Sequence, residues 1–170
     1  RAPLRRGRRR GDGVSRAAAL RQALSQGMVV APFVYDGLSA LVARDHGFPA
    51  VYMTGHGTAA GAGYPDVGLL SFAEMLANLR VITRTVDLPV IADADTGYGG
   101  IINVRRTVRE YEALGAAGLH IEDQVFPKKC GFMEGKDVID RGEAVAKLRA
   151  ALDARTDPDF VVIARTDALA

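Results

Sequence analysis

Short apolar runs alternate along this chain with longer stretches in which apolar side chains return at helical spacing. The runs at 28–34, 50–54, 90–92, 119–123 and 160–164 read as strands, and their near-continuous apolar character suits strands covered on both faces. Between them the period changes. Ala18, Leu20, Ala23 and Leu24 predict a helix over 15–26 ended by Gly27, and residues 38–46 predict a second closed by Gly47. Ser71-Phe72-Ala73-Glu74 is a capping box ahead of an apolar stripe of Phe72, Met75, Leu76, Leu79 and Ile82. Asn103 is the expected cap of a helix that buries Val104, Val108, Tyr111 and Leu114 and stops at Gly115. Asp140-Arg141-Gly142-Glu143 offers another capping box, with Val145, Leu148 and Leu152 as the expected buried side.

Strand and helix alternate throughout, which argues for a parallel sheet joined by right-handed crossovers. An open doubly wound sheet and an eight-stranded barrel both fit. The glycine fingerprint of a dinucleotide site is absent after the first strand, which lowers the weight of a nucleotide-binding fold. Polar and glycine residues gather after each strand, the end at which parallel α/β folds place ligands. Two of these segments are long: a glycine-rich loop over 55–68, and a polar loop over 124–139 of the kind that serves as a lid or binding loop.

Composition narrows the class. The chain has 170 residues, 48% hydrophobic and 25% charged, ordinary values for one globular domain. No apolar run is long enough to span a bilayer and no secretory signal is seen, so a soluble, cytoplasmic protein without a membrane partner is expected. The single Cys130 has no intrachain disulfide partner, which fits a reducing compartment. The net charge of +2 hides a basic leader: residues 1–16 hold seven arginines against Asp12. Lacking aromatic residues to stack on bases, that leader is expected to be disordered and not to bind nucleic acid, with the folded domain over 17–170.

The candidate chemistry lies at the strand ends. Asp93 and Asp95 follow the run at 90–92, and alternation along a strand would point both the same way, one pleat apart. Such a pair either caps the next helix or repels until a hard cation relieves it. Other strand ends add Tyr52, Thr54 and Gly55, then His120 and Glu122, then Arg165. Acids converging from neighbouring strands suit Mg²⁺, with an arginine to clamp a carboxylate. Individually, Glu122 would be explained by pairing with Lys128 or Lys129, and His120 by a satisfied interior position.

Tyr52-Met53-Thr54-Gly55, Pro65-Asp66-Val67-Gly68, Asp93-Ala94-Asp95-Thr96-Gly97-Tyr98-Gly99, Ile121-Glu122-Asp123-Gln124, Pro127-Lys128-Lys129-Cys130-Gly131 and Ile163-Ala164-Arg165-Thr166-Asp167 resemble the isocitrate lyase/phosphoenolpyruvate mutase superfamily. The resemblance implies a (β/α)₈ TIM barrel, a homo-oligomer in the full-length form, and Mg²⁺, with Mn²⁺ as its substitute. It implies carboxylate substrates that pass through a pyruvate-type enolate. Asp93, Asp95 and Glu122 would hold the metal; Tyr52, Thr54, Gly55, Asp66, Gly131 and Arg165 would bind substrate; Cys130 and Lys129 would be catalytic, with Asp66 and Lys129 near the gate. Cys130-Gly131 leans toward a lyase of the 2-methylisocitrate or 2,3-dimethylmalate type, with phosphonomutases and oxaloacetate decarboxylases as alternatives. Phe132 departs from the histidine usual in those lyases. A complete barrel runs to about 250 residues. The chain is therefore expected to supply about five β/α units of it, and a fragment without catalytic activity of its own is the alternative of another class.

Overall fold

The computed structural model describes residues 14–168. Residues 1–13 of the expected leader lie outside that range, but its last two residues are part of the fold: Ser15 caps α1 (Arg16–Gln26) with its hydroxyl. The Arg16 guanidinium donates to the carbonyls of Thr83, Val86 and Gly115.

Five parallel strands follow in chain order, β1 (Phe33–Val34), β2 (Val51–Met53), β3 (Val90–Asp93), β4 (Gly118–Glu122) and β5 (Val161–Arg165). Their crossovers carry α2 (Gly37–Asp45), α4 (Phe72–Thr85), α5 (Ile101–Ala113) and α6 (Arg141–Ala154), with α3 (Gly55–Gly61) inserted after β2. Strand order equals sequence order, and α2 packs on α4, α4 on α5, and α5 on α6. A doubly wound sheet would reverse its strand order and split its helices between two faces. Unreversed order with neighbouring helices in contact is instead the arrangement of a (β/α)₈ barrel wall.

The two faces of the sheet have different jobs. Val51, Met53, Val90, Ala92, Leu119 and Ile121 point outward into the main core, where Met75, Leu79 and Ile82 of α4 and Val104, Val108 and Tyr111 of α5 meet them. On the inner face, Ile91 joins Ala50, Ala117 and Leu20 of α1 in a small apolar cluster at the N-terminal end. Two residues further along the same face stands Asp93, with His120 as its register partner on β4. The fold thus closes one end with apolar side chains and leaves the other for chemistry.

Several elements differ from the sequence expectation. β1 has only two residues, with Phe33 72% exposed, because it pairs on one side only among the described residues. The expected loop over 55–68 opens with α3, where the Thr54 hydroxyl accepts from the Gly57 amide and an N-cap outweighs the glycines. α5 starts after Gly100, so Asn103 lies inside it. α6 buries Lys147, Ala150, Ala151 and Ala154, leaving Val145 and Leu152 exposed, since its close approach to α5 admits small side chains. The capping box of α4 is formed as expected, with Ser71 and Glu74 bonded to each other's backbone.

Candidate active site

β3 ends at Asp93, whose carboxylate is buried yet fully partnered. Oδ1 accepts from His120 Nε2 at 2.6 Å and from the Asp95 amide at 3.0 Å, and Oδ2 accepts from the Gly55 amide at 2.8 Å. Burial by itself would raise this carboxyl, but the His120 charge and hydrogen bond, the Asp95 amide and Lys128 outweigh it and hold it below the usual carboxylate range. Tyr52 extends the network from β2, its hydroxyl 2.8 Å from His120 Nε2. Burial, then the Asp93 charge, keep that phenol protonated. A side chain at position 55 would put its Cβ 2.7 Å from Asp93 Oδ2, so this approach requires glycine.

Asp95 reaches the site by a turn and not by a pleat. It lies beyond β3 with φ of 45°, and its carbonyl accepts from the Glu122 amide at 2.9 Å, tying the turn to β4. Its Oδ1 is 3.0 Å from Lys128 Nζ, outside hydrogen-bond geometry. Lys128 is 5% exposed and also meets Asp66 Oδ1 at 2.6 Å. Burial, followed by the Asp93 charge, raises the Asp95 carboxyl to about 6 against the pull of Lys128. Glu122 ends β4 with Oε2 3.2 Å from Arg165 of β5. Its carboxyl rises to about 7, chiefly through burial, with Asp93 and Asp95 adding to it and Lys128 and Arg165 opposing.

Of the two adjacent lysines, Lys128 and not Lys129 enters the acidic cluster. Gln124 clamps the Lys129 peptide, accepting from its amide and donating to its carbonyl at 2.9 Å each, and the Lys129 ammonium donates to the Gly135 carbonyl. The partner of Glu122 is Arg165, not a lysine. The polar loop is a flap pinned at its base, where Ile139 donates to the Asp123 carbonyl and Gln124 bridges Val138. It carries Cys130, half-buried, with Sγ 3.8 Å from His56 Nδ1. Gly131 packs so close to Arg165 that a Cβ would lie 2.5 Å from its guanidinium. Phe132 is 98% exposed and faces neither the thiol nor the acids. Sequence reasoning missed His56 altogether, and nothing local in α3 signals it.

Two buried oxygens, Asp95 Oδ1 and Glu122 Oε1, have no hydrogen-bond partner. Asp95 Oδ1 keeps its ionic contact with Lys128, whereas among the described residues no hydrogen-bond partner meets Glu122 Oε1, and a buried carboxylate oxygen left so beside other carboxylates is what a hard divalent cation satisfies. The all-carboxylate chemistry of Asp93, Asp95 and Glu122 suits Mg²⁺, whereas among the described residues the three ligand atoms that lie within 4.8 Å of one another are those of His56, Asp66 and Cys130.

A family model described as phosphoenolpyruvate phosphomutase matches residues 20–170. The chain belongs to this family. Within the isocitrate lyase/phosphoenolpyruvate mutase superfamily, the phosphomutase-family chain is 53% identical over 154 residues to 2,3-dimethylmalate lyase of Eubacterium barkeri, a match covering 89% of this chain and 53% of that protein. It is 50% identical over 133 residues to 2-methylisocitrate lyase of Escherichia coli (strain K12), covering 77% and 45%. A solved structure of phosphonopyruvate hydrolase in complex with oxalate and Mg²⁺ is similar with a TM-score of 0.84 at 38% identity, covering 92% of this chain and 54% of that one. The chain spans about half the length of the curated relatives it matches. Among its described residues no helix is long and apolar enough to cross a membrane.

Proposed function

We propose that the protein is a Mg²⁺-dependent carbon–carbon lyase of the cytoplasm, acting on a 2-hydroxy di- or tricarboxylate of the dimethylmalate or methylisocitrate type. The observation that carries this reading is the buried Glu122 Oε1 without a hydrogen-bond partner, on the strand beside Asp93, together with a thiol-bearing flap. A divalent cation held by Asp93, Asp95 and Glu122 would supply positive charge to a substrate oxygen on which negative charge builds.

The chain's own groups divide the remaining work. His120 and the Gly55 amide fix the Asp93 carboxylate, so it needs no reorganisation when substrate arrives. Arg165, with Tyr52, Thr54, Asp66 and Gly131, lines the space for the substrate carboxylates, and a guanidinium suits that geometry. As the carbinol hydroxyl gives its proton to solvent, its O–H pair forms the new C=O bond, and the bond between the carbinol carbon and its neighbour breaks with its electron pair staying on the departing carbon, next to a carboxylate. Cys130 Sγ–H then donates the proton that completes the departing acid, leaving a thiolate. Full-length protein should assemble as a homo-oligomer.

The test is a substrate panel with pyruvate or glyoxylate release as the readout. We expect turnover with Mg²⁺ and loss of it with EDTA. Cys130→Ala should lower kcat by about 100-fold or more, the usual range for a lost general acid. Unchanged turnover in that variant removes the thiol from the mechanism. The family description itself favours a second reading, a phosphonomutase. Phosphoryl transfer depends on positioning and charge and has no need of a thiol acid, so phosphonate formation without pyruvate release would select it.

A further inference from the structure

We propose that His56, Asp66 and Cys130 form a cation site that takes a zinc-class ion and is distinct from the carboxylates of Asp93, Asp95 and Glu122. The three residues come from α3, the segment after it, and the flap. His56 Nδ1 lies 3.8 Å from Cys130 Sγ and 3.8 Å from Asp66 Oδ2, and all three ligand atoms lie within 4.8 Å of one another.

The decisive detail is that both contacts fall on the same ring nitrogen. A proton relay through an imidazole uses one nitrogen toward the thiol and the other toward the acid. Here the sulfur and the carboxylate oxygen instead approach the same nitrogen, as ligands gathered around one ion do. At 3.8 Å the Nδ1–Oδ2 separation is also too long for a good hydrogen bond. Usual Zn–S, Zn–N and Zn–O bond lengths in a tetrahedron place ligand atoms about 3.4–3.6 Å apart. The two 3.8 Å edges therefore need a contraction of only a few tenths of an ångström, and the sulfur-to-oxygen edge, within 4.8 Å, one of up to about 1 Å, within reach of a shift of the flap.

The surroundings are consistent with such a site. Asp66 is oriented through its other oxygen, since Oδ1 receives Lys128 Nζ at 2.6 Å and Oδ2 stays available. The Asp66 carbonyl accepts from the Cys130 amide at 3.0 Å, which holds the flap in register with the carboxylate. His56 is well exposed, which gives an ion a path in and leaves a fourth position to water. Mixed sulfur, nitrogen and oxygen ligation selects Zn²⁺ or Co²⁺ over Mg²⁺. The Lys128 charge opposes the ion, so binding should be weaker than at a closed four-ligand structural site. On binding, the thiol gives its proton to solvent and the thiolate takes the ion.

If Cys130 is the acid of the proposed lyase, on which this consequence alone rests, occupancy removes that acid and Zn²⁺ inhibits while Mg²⁺ activates. The binding test does not need turnover. Purified protein saturated with Mg²⁺ is titrated with Co²⁺, and the sulfur-to-cobalt charge-transfer band is followed. We expect the band to saturate at one equivalent, to disappear on adding Zn²⁺, and to be absent from His56→Ala and Cys130→Ser. Zn²⁺ should also slow alkylation of Cys130 by iodoacetamide about tenfold or more in the unsubstituted protein and leave His56→Ala unaffected. His56 is exposed, so His56→Ala should fold, checked by its thermal melt. No band, or a band undiminished in folded His56→Ala, overturns the site. A missing band beside Mg²⁺-dependent turnover leaves the lyase reading intact, and a band without turnover does the reverse.

Discussion

Lys128 holds together the part of the cluster that no backbone amide reaches. Its ammonium, 5% exposed, contacts both Asp66 and Asp95. Removing one partner of a buried pair costs far more than the pair contributes, because the remaining charges stay desolvated. Lys128→Met should destabilise the protein by about 3–5 kcal/mol, read from denaturant unfolding. Mg²⁺ should restore more of that loss in the variant than it adds to the wild type, since the ion replaces the missing positive charge. A variant as stable as wild type would mean that Asp66 and Asp95 tolerate their burial unaided.

Among the elements, α2 has a cap whose contribution depends on pH. Asp36 accepts from the Ser39 amide at 2.7 Å while the Ser39 hydroxyl serves the Asp36 backbone. The backbone and side-chain bonds to Ser39 lower its carboxyl below the ordinary value, against a small burial effect. A group depressed on folding stabilises fully above its unfolded pKa of 3.8 and loses that contribution as pH falls through its folded value. Asp36→Ala should therefore cost about 1 kcal/mol near neutral pH. The difference between variant and wild type should shrink in thermal melts taken below pH 4, a figure of about the unfolded value. A difference that holds constant down to strong acid would show that the carboxylate is not the cap.

The described residues form a five-stranded wall with β1 and β5 at its edges. β3 and β4 are buried along their length, while β5 is half-exposed with Ile163 at 37%, and β1 exposes Phe33 at 72%. Each edge strand pairs on one side only among the described residues. Unpaired strand groups and apolar side chains on an inner face invite pairing with another chain. In sedimentation velocity, the 170-residue chain should associate increasingly with concentration. A chain that stays monodisperse, and that oxalate with Mg²⁺ stabilises, would show that this wall suffices to bind ligand.

Periodicity alone was enough to recover the alternation of strands and helices, because burial on a two-faced strand or a one-faced helix must be written into local residue order. The capping box at Ser71 and the stop at Gly115 were legible for the same reason, each being satisfied within a few residues. Placing Asp93, Glu122 and Arg165 at strand ends followed as well, since parallel strands bring their C-terminal ends together. What local order could not supply was partnership. Lys128 and Lys129 are adjacent and chemically alike, and only the Gln124 clamp on the second sends the first to Asp66 and Asp95. The buried face of α6 was misjudged because closeness to α5 favours alanine over the larger Val145 and Leu152. The meeting of His56 with Cys130, 74 positions apart, is likewise a product of the tertiary fold alone. Local order specified the elements and their acidic ends; long-range packing decided which charged groups touch, because the energy of a charge pair depends on distance and burial that no short stretch of chain encodes.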